Sequence, residues 1–155
     1  MRTAVIGIGS LGTIIGALIT KNGGQIDLVD SYQPTIDALR EKGATVTGTM
    51  EFNVPVKAYN IEELEGIYDL FLLTTKQTAL QTVMPQLMKH MNENSLVLTL
   101  QNGIPEETVA SYVGRERTAG GAVGWGATWL EPGVSRLTST MKVMENFAFE
   151  IGEID

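Results

Sequence analysis

Three glycines near the start of the chain, Gly7, Gly9 and Gly12, have the spacing G-x-G-x-x-G. An apolar run precedes them, and from Leu11 onwards the apolar residues recur at helical spacing. In a strand–turn–helix, the first glycine permits a tight turn, the second leaves room for a diphosphate, and the third lets the helix pack closely on the strand. We therefore predict a dinucleotide site whose diphosphate lies on the free N–H groups at the start of the helix. The candidate residues are Gly7, Ile8, Gly9, Ser10, Leu11 and Gly12.

An acid at Asp30 favours this prediction over the alternative, a glycine-rich turn in some other α/β protein. Asp30 stands 18 residues after Gly12, at the end of a predicted strand over Gln25–Asp30. An acid there accepts hydrogen bonds from the adenosine ribose 2′-hydroxyl of NAD. Positions 30–33 hold no arginine for the 2′-phosphate of NADP, so the sequence predicts a preference for NAD. In the alternative, Asp30 turns outward and a lysine elsewhere receives the phosphate. Ser31 is a further cofactor-binding candidate.

Lys76 and Asn102 follow two other predicted strands. Lys76 comes after the apolar run Tyr68–Thr75, where a helix is predicted to begin and a cation opposes the helix dipole. A residue that is unfavourable for the local structure at the carboxyl end of a strand indicates function. An ammonium there can bind a carboxylate or phosphate of a ligand. The Asn102 amide can bond a ribose hydroxyl or a substrate oxygen. The alternatives are a solvated surface lysine and an ordinary Asn-Gly turn.

His90, Trp125 and Trp129 also have side chains that could take part in catalysis or binding, but they fit structural roles better. His90 lies about 20 Å along the helix that follows Lys76, at 1.5 Å per residue, so we expect it on the surface at the far edge of the sheet. Trp125 and Trp129 are predicted to pack in a hairpin. The chain therefore carries a predicted cofactor site without a convincing general acid.

The elements that position these residues alternate between strand and helix up to the helix that Pro105-Glu106-Glu107 opens, which is typical of a parallel sheet covered by helices on both faces. Residues 44–50 and 53–59 form two further short β-like runs. The tail is rich in glycine and β-formers, with a Pro132-Gly133 turn and predicted strands over 134–138 and 146–152. The predicted fold class is α/β, a Rossmann-type doubly wound parallel sheet closed by a C-terminal antiparallel hairpin. Pro85 predicts a kink in the helix after Lys76.

Composition limits the other possibilities. At 155 residues the chain is expected to be a single domain over 1–155. The net charge is −7 and no Lys/Arg run occurs, which argues against a nucleic-acid partner. The chain has no cysteine and one histidine, so we expect neither disulfides nor a metal site. No apolar run approaches the length of a membrane span and no signal peptide is evident, so we expect no membrane partner and a cytoplasmic location.

With these residues placed, the chain resembles the N-terminal domain of the ketopantoate reductase (2-dehydropantoate 2-reductase) family. The resemblance begins with the glycine turn and extends through 38–43, 74–78 and the closing segment 120–153. Its most specific part is Leu100-Gln101-Asn102-Gly103-Ile104. It implies an NAD(P)-dependent oxidoreductase that reduces the ketone of a small 2-keto acid. In ketopantoate reductases the product is pantoate, in pantothenate biosynthesis.

The resemblance also assigns roles to individual positions. Lys76 and Asn102 match the family's lysine and asparagine beside the nicotinamide ribose and the substrate, where they support catalysis. Thr75 lies in the same motif, and Ala127 matches a backbone contact to the cofactor. The resemblance leaves NAD or NADP as the cofactor and is compatible with a homo-oligomer.

Two departures from the family pattern affect these expectations. The family's helical second domain, which supplies the general-acid lysine and most substrate contacts, is expected to be absent, because the chain ends at Asp155 where the linker would begin. We therefore expect the isolated chain to be inactive. Members that use NADP often carry an arginine where this chain has Asp30-Ser31-Tyr32. The alternative function is a stand-alone nucleotide-sensing regulatory module of a transport system.

Overall fold

A computed structural model describes residues 1–154, so the predicted start of the linker at Asp155 lies outside the described residues. These described residues form two β-sheets and five α-helices, together with short 3-10 turns. The helices are α1 (Ser10–Lys21), α2 (Gln33–Lys42), α3 (Leu80–Leu87), α4 (Glu106–Val113) and α5 (Met141–Asn146). The strands are β1 (Thr3–Ile6), β2 (Ile26–Val29), β3 (Ala44–Gly48), β4 (Phe52–Val54), β5 (Lys57–Tyr59), β6 (Leu70–Leu73), β7 (Leu96–Thr99), β8 (Thr118–Val123), β9 (Ala127–Glu131), β10 (Val134–Leu137) and β11 (Phe149–Glu153).

The larger sheet has the order β11-β8-β7-β6-β1-β2-β5, and its strands are parallel except for β11, which pairs antiparallel with β8. The direction in which strands are added reverses between β1 and β6. In an open α/β sheet this reversal leaves a crevice at the carboxyl ends of the two strands, where ligands bind. The predicted α/β Rossmann-type sheet is therefore confirmed.

Alternating residues of the strands face two separate apolar cores. Val5, Leu28 and Leu72 pack on one face of the sheet with the apolar residues of α1. On the other face, Phe71 and Leu73 pack with buried residues of α3 and α4. The near-continuous apolar strands in the sequence reflect this burial on both faces.

The C-terminal hairpin forms, but it does not close the larger sheet. β9 and β10 pair antiparallel and join β3 and β4 in a second sheet of order β4-β3-β10-β9. This sheet packs on α1, where Val46 of β3 and Leu137 of β10 are both 1% exposed. Burial of these alternate apolar residues against the helix explains why the hairpin leaves the main sheet. The antiparallel strand at the edge of the main sheet is β11 instead.

Two segments that contain a proline differ from the sequence prediction. The single run predicted over 53–59 divides around Pro55 into β4 and β5, which belong to different sheets. Pro85, where we predicted a kink, lies inside α3. The α-helical geometry ends instead at the two ends of α3, in 3-10 turns over Gln77–Ala79 and Met88–His90. In the tail, α5 occupies the start of the strand predicted over 146–152. Within residues 1–154, no helix is both long and apolar enough to cross a membrane.

Candidate functional site

The polar candidates lie at one edge of the larger sheet because their strands are parallel and in register. Ile6 at the end of β1 pairs with Val29 of β2 and with Leu73 of β6, and Leu73 pairs with Thr99 of β7. The segments that leave these four strands carry the glycine turn, Asp30, Thr75-Lys76 and Asn102. The fold therefore brings together candidates that are up to about 95 residues apart in the sequence.

The glycine turn needs glycine at Gly7 and Gly12 for reasons internal to the protein. Gly7 has φ +96° and its N–H donates to the Val29 carbonyl oxygen at 2.8 Å. A Cβ on Gly7 would lie 2.7 Å from Cγ2 of Thr75, and a Cβ on Gly12 would overlap the Gly7 carbonyl oxygen. These two glycines allow α1 to start directly against the end of β1 and beside the segment that follows β6.

Gly9 has a different environment. Apart from Gly9 itself and its two chain neighbours, no heavy atom lies within 4 Å of the position that its Cβ would take, and the residue is exposed. Gly9 is the N-cap of α1, no side chain caps the helix, and its first turn holds no acid. The helix thus begins with N–H groups that no side chain satisfies, at the positive end of its dipole. An open space beside such a helix start fits a diphosphate. Ser10 and Leu11 form the half-buried first turn.

Asp30 turns its carboxylate towards the glycine turn. Oδ2 accepts a hydrogen bond from the Ile8 N–H at 2.5 Å, and Oδ1 accepts one from the Tyr32 N–H at 2.8 Å. The Asp30 N–H donates to the carbonyl oxygen of Tyr59 in β5. Because an ionised carboxylate offers about four acceptor positions, these contacts leave capacity for a ligand hydroxyl. Ser31 is exposed beside it.

Arg40, the first arginine after Asp30 in the sequence, is held elsewhere. Its Nη2 lies 2.7 Å from Oε2 of Glu63, and its Nε donates to the Ala58 carbonyl oxygen at 2.8 Å. The Asn60 N–H and the Arg40 guanidinium both bond the Glu63 carboxylate, and they lower its pKa. Arg40 is therefore engaged on β5 and the segment that follows it, and does not offer a free cation to a 2′-phosphate beside Asp30.

Lys76 and Asn102 are both exposed at the same edge of the sheet. Lys76 caps the 3-10 turn over Gln77–Ala79 with extended backbone, so it precedes the helical turn rather than lying within it. Thr74 ties this segment to the glycine turn, because its Oγ1 donates to the Gly7 carbonyl oxygen at 2.6 Å. The cation and the amide thus flank the crevice between β1 and β6 on the side away from Asp30.

Sequence reasoning missed two glutamines that connect these segments. The buried Gln101 side chain donates from Nε2 to the carbonyl oxygen and to Oγ1 of Thr75, at 2.8 and 2.9 Å. Gln77 in turn donates to the carbonyl oxygen of Asn102. The available signal was their position, since each stands directly beside one of the candidate residues, Asn102 and Lys76.

The remaining candidates are placed by the chain's connectivity. Ala127 is the first residue of β9, directly after the loop that leaves the carboxyl end of β8 at this edge. His90 lies near the amino end of β6, where its carbonyl oxygen accepts from the Tyr68 N–H, so its predicted place at the far edge is confirmed. Trp125 is buried with its ring edge-on to Phe149, whereas Trp129 is 44% exposed on β9.

Comparison with known proteins identifies relatives of this chain. The sequence model of the family described as "Ketopantoate reductase PanE/ApbA" matches residues 3–150. A 2-dehydropantoate 2-reductase of Pyrococcus abyssi is 31% identical over 139 residues, which are 89% of this chain and 45% of that protein. One of Streptococcus pyogenes serotype M1 is 28% identical over 138 residues, again 45% of its length.

Comparison with solved structures finds proteins of the same family and the same fold. The 2-dehydropantoate 2-reductase of Geobacter metallireducens superposes with a TM-score of 0.83 at 29% identity, covering 99% of this chain and 49% of that one. D-mandelate dehydrogenase, solved with NADH and anilino(oxo)acetate, shares the fold with a TM-score of 0.82 at 24% identity, over 90% of this chain and 46% of that one. The chain thus spans about half the length of the relatives it matches. The sequence relatives are 2-dehydropantoate 2-reductases, so the alternative of a transport regulator is unsupported.

Proposed function

The chain belongs to the ketopantoate reductase PanE/ApbA family, and on this basis we propose that it is the nicotinamide-dinucleotide-binding part of a 2-keto-acid reductase. The observation that carries the proposal is the open space at Gly9, before the uncapped start of α1 and beside the crevice between β1 and β6. Asp30 stands on one side of this crevice, and Lys76 and Asn102 stand on the other. Ketopantoate is the substrate that the family name indicates.

Each part of the dinucleotide has suitable partners among these residues. The diphosphate would lie on the N–H groups at the start of α1, and the adenosine ribose would lie beside Asp30 and Ser31. Lys76 and Asn102 would bind the nicotinamide ribose and the substrate's oxygen atoms, with Thr75 and the backbone at Ala127 completing the site. When bound, the reduced nicotinamide supplies the hydride for the ketone carbon. The ammonium of Lys76 would stabilise negative charge on the substrate.

NAD(H) is the cofactor that the residues at the end of β2 favour. The 2′-phosphate of NADP(H) would bring about two negative charges beside the Asp30 carboxylate. At about 4 Å and an effective dielectric constant near 20, one such pair of unit charges repels by roughly 4 kcal/mol before solvent screening. Even a residual penalty of about 1.4 kcal/mol is tenfold in affinity. Arg40, which is paired with Glu63, does not offset this penalty.

The proposed reaction needs parts of the protein beyond this domain. The chain spans 45% of the Pyrococcus and Streptococcus reductases, and we assign the proton donor and most of the substrate pocket to the remainder of such a protein. The chain itself would then bind the cofactor and reduce little substrate. We propose a cytoplasmic location for the protein.

Titration of the purified chain with NADH, followed by NMR chemical-shift mapping, tests the proposal. We expect saturable binding, with the largest shifts at the amide groups of residues 7–12 and 101–103. The amides around His90, at the opposite edge of the sheet, serve as the internal control and should not shift. Absence of binding, or shifts confined to the amino edge of the sheet, would contradict the proposed function.

A further inference from the structure

Two exposed residues of the proposed site, Lys76 and Asn102, stand on separate segments that leave β6 and β7. Such segments are usually the more mobile parts of a fold, yet a binding site needs its groups at fixed separations. The register Leu73 to Thr99 places the two segments side by side. Backbone pairing ends close to that point, because the last bond between these strands runs from the Leu100 N–H to the Leu73 carbonyl oxygen. Beyond it, the connection is made by side chains.

Gln101 makes the connection from the β7 side. Its side chain donates to both the carbonyl oxygen and Oγ1 of Thr75, the residue before Lys76, at 2.8 and 2.9 Å. Its Oε1 accepts from Oγ1 of Thr99 at 3.1 Å. Gln101 is only 8% exposed, so its amide depends on these partners rather than on water. A side chain of the same length without an N–H group cannot replace it.

Gln77 makes the connection in the opposite direction. It follows Lys76, and its Nε2 donates to the carbonyl oxygen of Asn102. The approach requires Gly103, which has φ +91° and whose Cβ would overlap the Gln77 amide nitrogen. Each of the two exposed residues thus has a neighbour in the chain that is bonded to the other segment.

We propose that Gln101 and Gln77 are positioning residues, which form a reciprocal pair of bridges that fixes the separation of Lys76 and Asn102. The proposal rests on the proposed function, since it assigns these two residues to the nicotinamide half of the dinucleotide. Neither glutamine side chain bonds to the glycine turn or to Asp30. Their loss should therefore weaken contacts to the nicotinamide half and leave the adenosine diphosphate half unaffected.

The test compares two ligands, NADH and ADP, which lacks both the nicotinamide and its ribose. We expect Gln101→Met and Gln77→Met to weaken NADH binding by about tenfold, which corresponds to about 1.4 kcal/mol. ADP binding should change by less than about twofold. Gln86→Met is the matched control, because Gln86 lies on α3 and bonds only within its own helix, to the Thr82 carbonyl oxygen. It should leave both affinities unchanged.

The two ligands separate positioning from folding. If Gln101→Met destabilised the whole domain, it would weaken the binding of both ligands equally, and this result would overturn the inference. The half-buried Gln77 gives a second variant whose thermal unfolding should match that of the wild type. Unchanged NADH binding in both variants would also overturn the inference, while the proposed function would stand. Failure of the wild-type chain to bind either ligand would overturn the proposed function and the inference with it.

Discussion

The carboxylate of Asp30 accepts a hydrogen bond of 2.5 Å from the N–H of Ile8, inside the glycine turn. The acid that closes β2 therefore also shapes the turn that is proposed to hold the diphosphate. A second bond from the Tyr32 N–H fixes the other carboxylate oxygen. In the proposed site, selection of the ribose and binding of the diphosphate would therefore be coupled through one side chain.

Substitution by alanine should affect cofactor binding at Gly9 and fold stability at Gly12. Gly9→Ala places a methyl group in open space, so we expect the free energy of unfolding to change by less than about 0.5 kcal/mol. NADH affinity should nevertheless fall at least about tenfold, because the methyl group would occupy the diphosphate space. Urea denaturation and calorimetric titration measure the two quantities. A Gly9→Ala chain that binds NADH as the wild type does would place the diphosphate elsewhere.

Gly12→Ala should instead destabilise the fold. Alanine normally stabilises a helix by about 1 kcal/mol relative to glycine. Here its Cβ would overlap the Gly7 carbonyl oxygen and approach Oγ1 of Thr74 at 2.9 Å. Overpacking of this kind costs about 1–3 kcal/mol, so the net change in unfolding free energy should be a loss. Stabilisation by Gly12→Ala in urea denaturation would contradict the close packing of α1 on β1.

Lys76→Ala and Asn102→Ala should reduce function without unfolding the domain, because both side chains are exposed. In a longer protein that carries the rest of the site, each should lower kcat/KM at least about tenfold, equivalent to about 1.4 kcal/mol of transition-state stabilisation. Lys89→Ala is a matched control, since Lys89 is also exposed but lies beside His90 at the opposite edge. If both site variants kept wild-type kinetics, Lys76 and Asn102 would be ordinary surface residues.

The 155-residue chain alone should bind cofactor but reduce ketopantoate at a negligible rate. If the general acid lies in the rest of the protein, as proposed, its loss would cost about 10²–10⁴-fold, and loss of the substrate contacts proposed there would lower the rate further. Absorbance of the reduced nicotinamide follows the reaction directly. A turnover of about 1 s⁻¹ or more, which is normal for an enzyme, would show that this chain already holds the full catalytic site.

Tyr68 should make stability depend on alkaline pH. Burial raises the pKa of its phenol, and the hydrogen bond to Asp27, at 2.6 Å, raises the pKa further. The folded state therefore favours the neutral phenol, and this stabilisation is complete below the unfolded pKa of about 10 and lost as pH rises above it. Tyr68→Phe should destabilise the protein by about 1–3 kcal/mol near neutral pH, through loss of a bond to a carboxylate.

The pH dependence separates this role from simple packing. The difference in unfolding free energy between the wild type and Tyr68→Phe should shrink between about pH 9 and pH 11, as the unfolded phenol ionises. The exposed Tyr32 provides the control, because Tyr32→Phe should leave the stability unchanged at each pH. A wild-type minus Tyr68→Phe difference that stays constant over this range would contradict the assignment.

The sequence predicted those parts of the structure that depend on local patterns. The glycine turn and the acid that ends β2 follow from residue types at short spacing, and the apolar runs identify strands buried on both faces. The second sheet was missed because β3 pairs with β10, joining Thr45 to Val134, far apart in the sequence. Gln101 was missed for the same reason, since its role appears only when β6 and β7 are known to be neighbours.

Parallel titrations of the wild-type chain with NADH and NADPH test the central claim most directly. We expect NADH to bind at least about tenfold more tightly, because Asp30 repels the 2′-phosphate. Asp30→Asn should reduce the ratio of NADH affinity to NADPH affinity, because it removes the charge. Asp30→Ala should reduce this ratio and also weaken NADH binding, because it leaves the Ile8 N–H without its partner. Equal or tighter binding of NADPH to the wild type would contradict the role of Asp30. Binding of neither cofactor would contradict the assignment of the site itself.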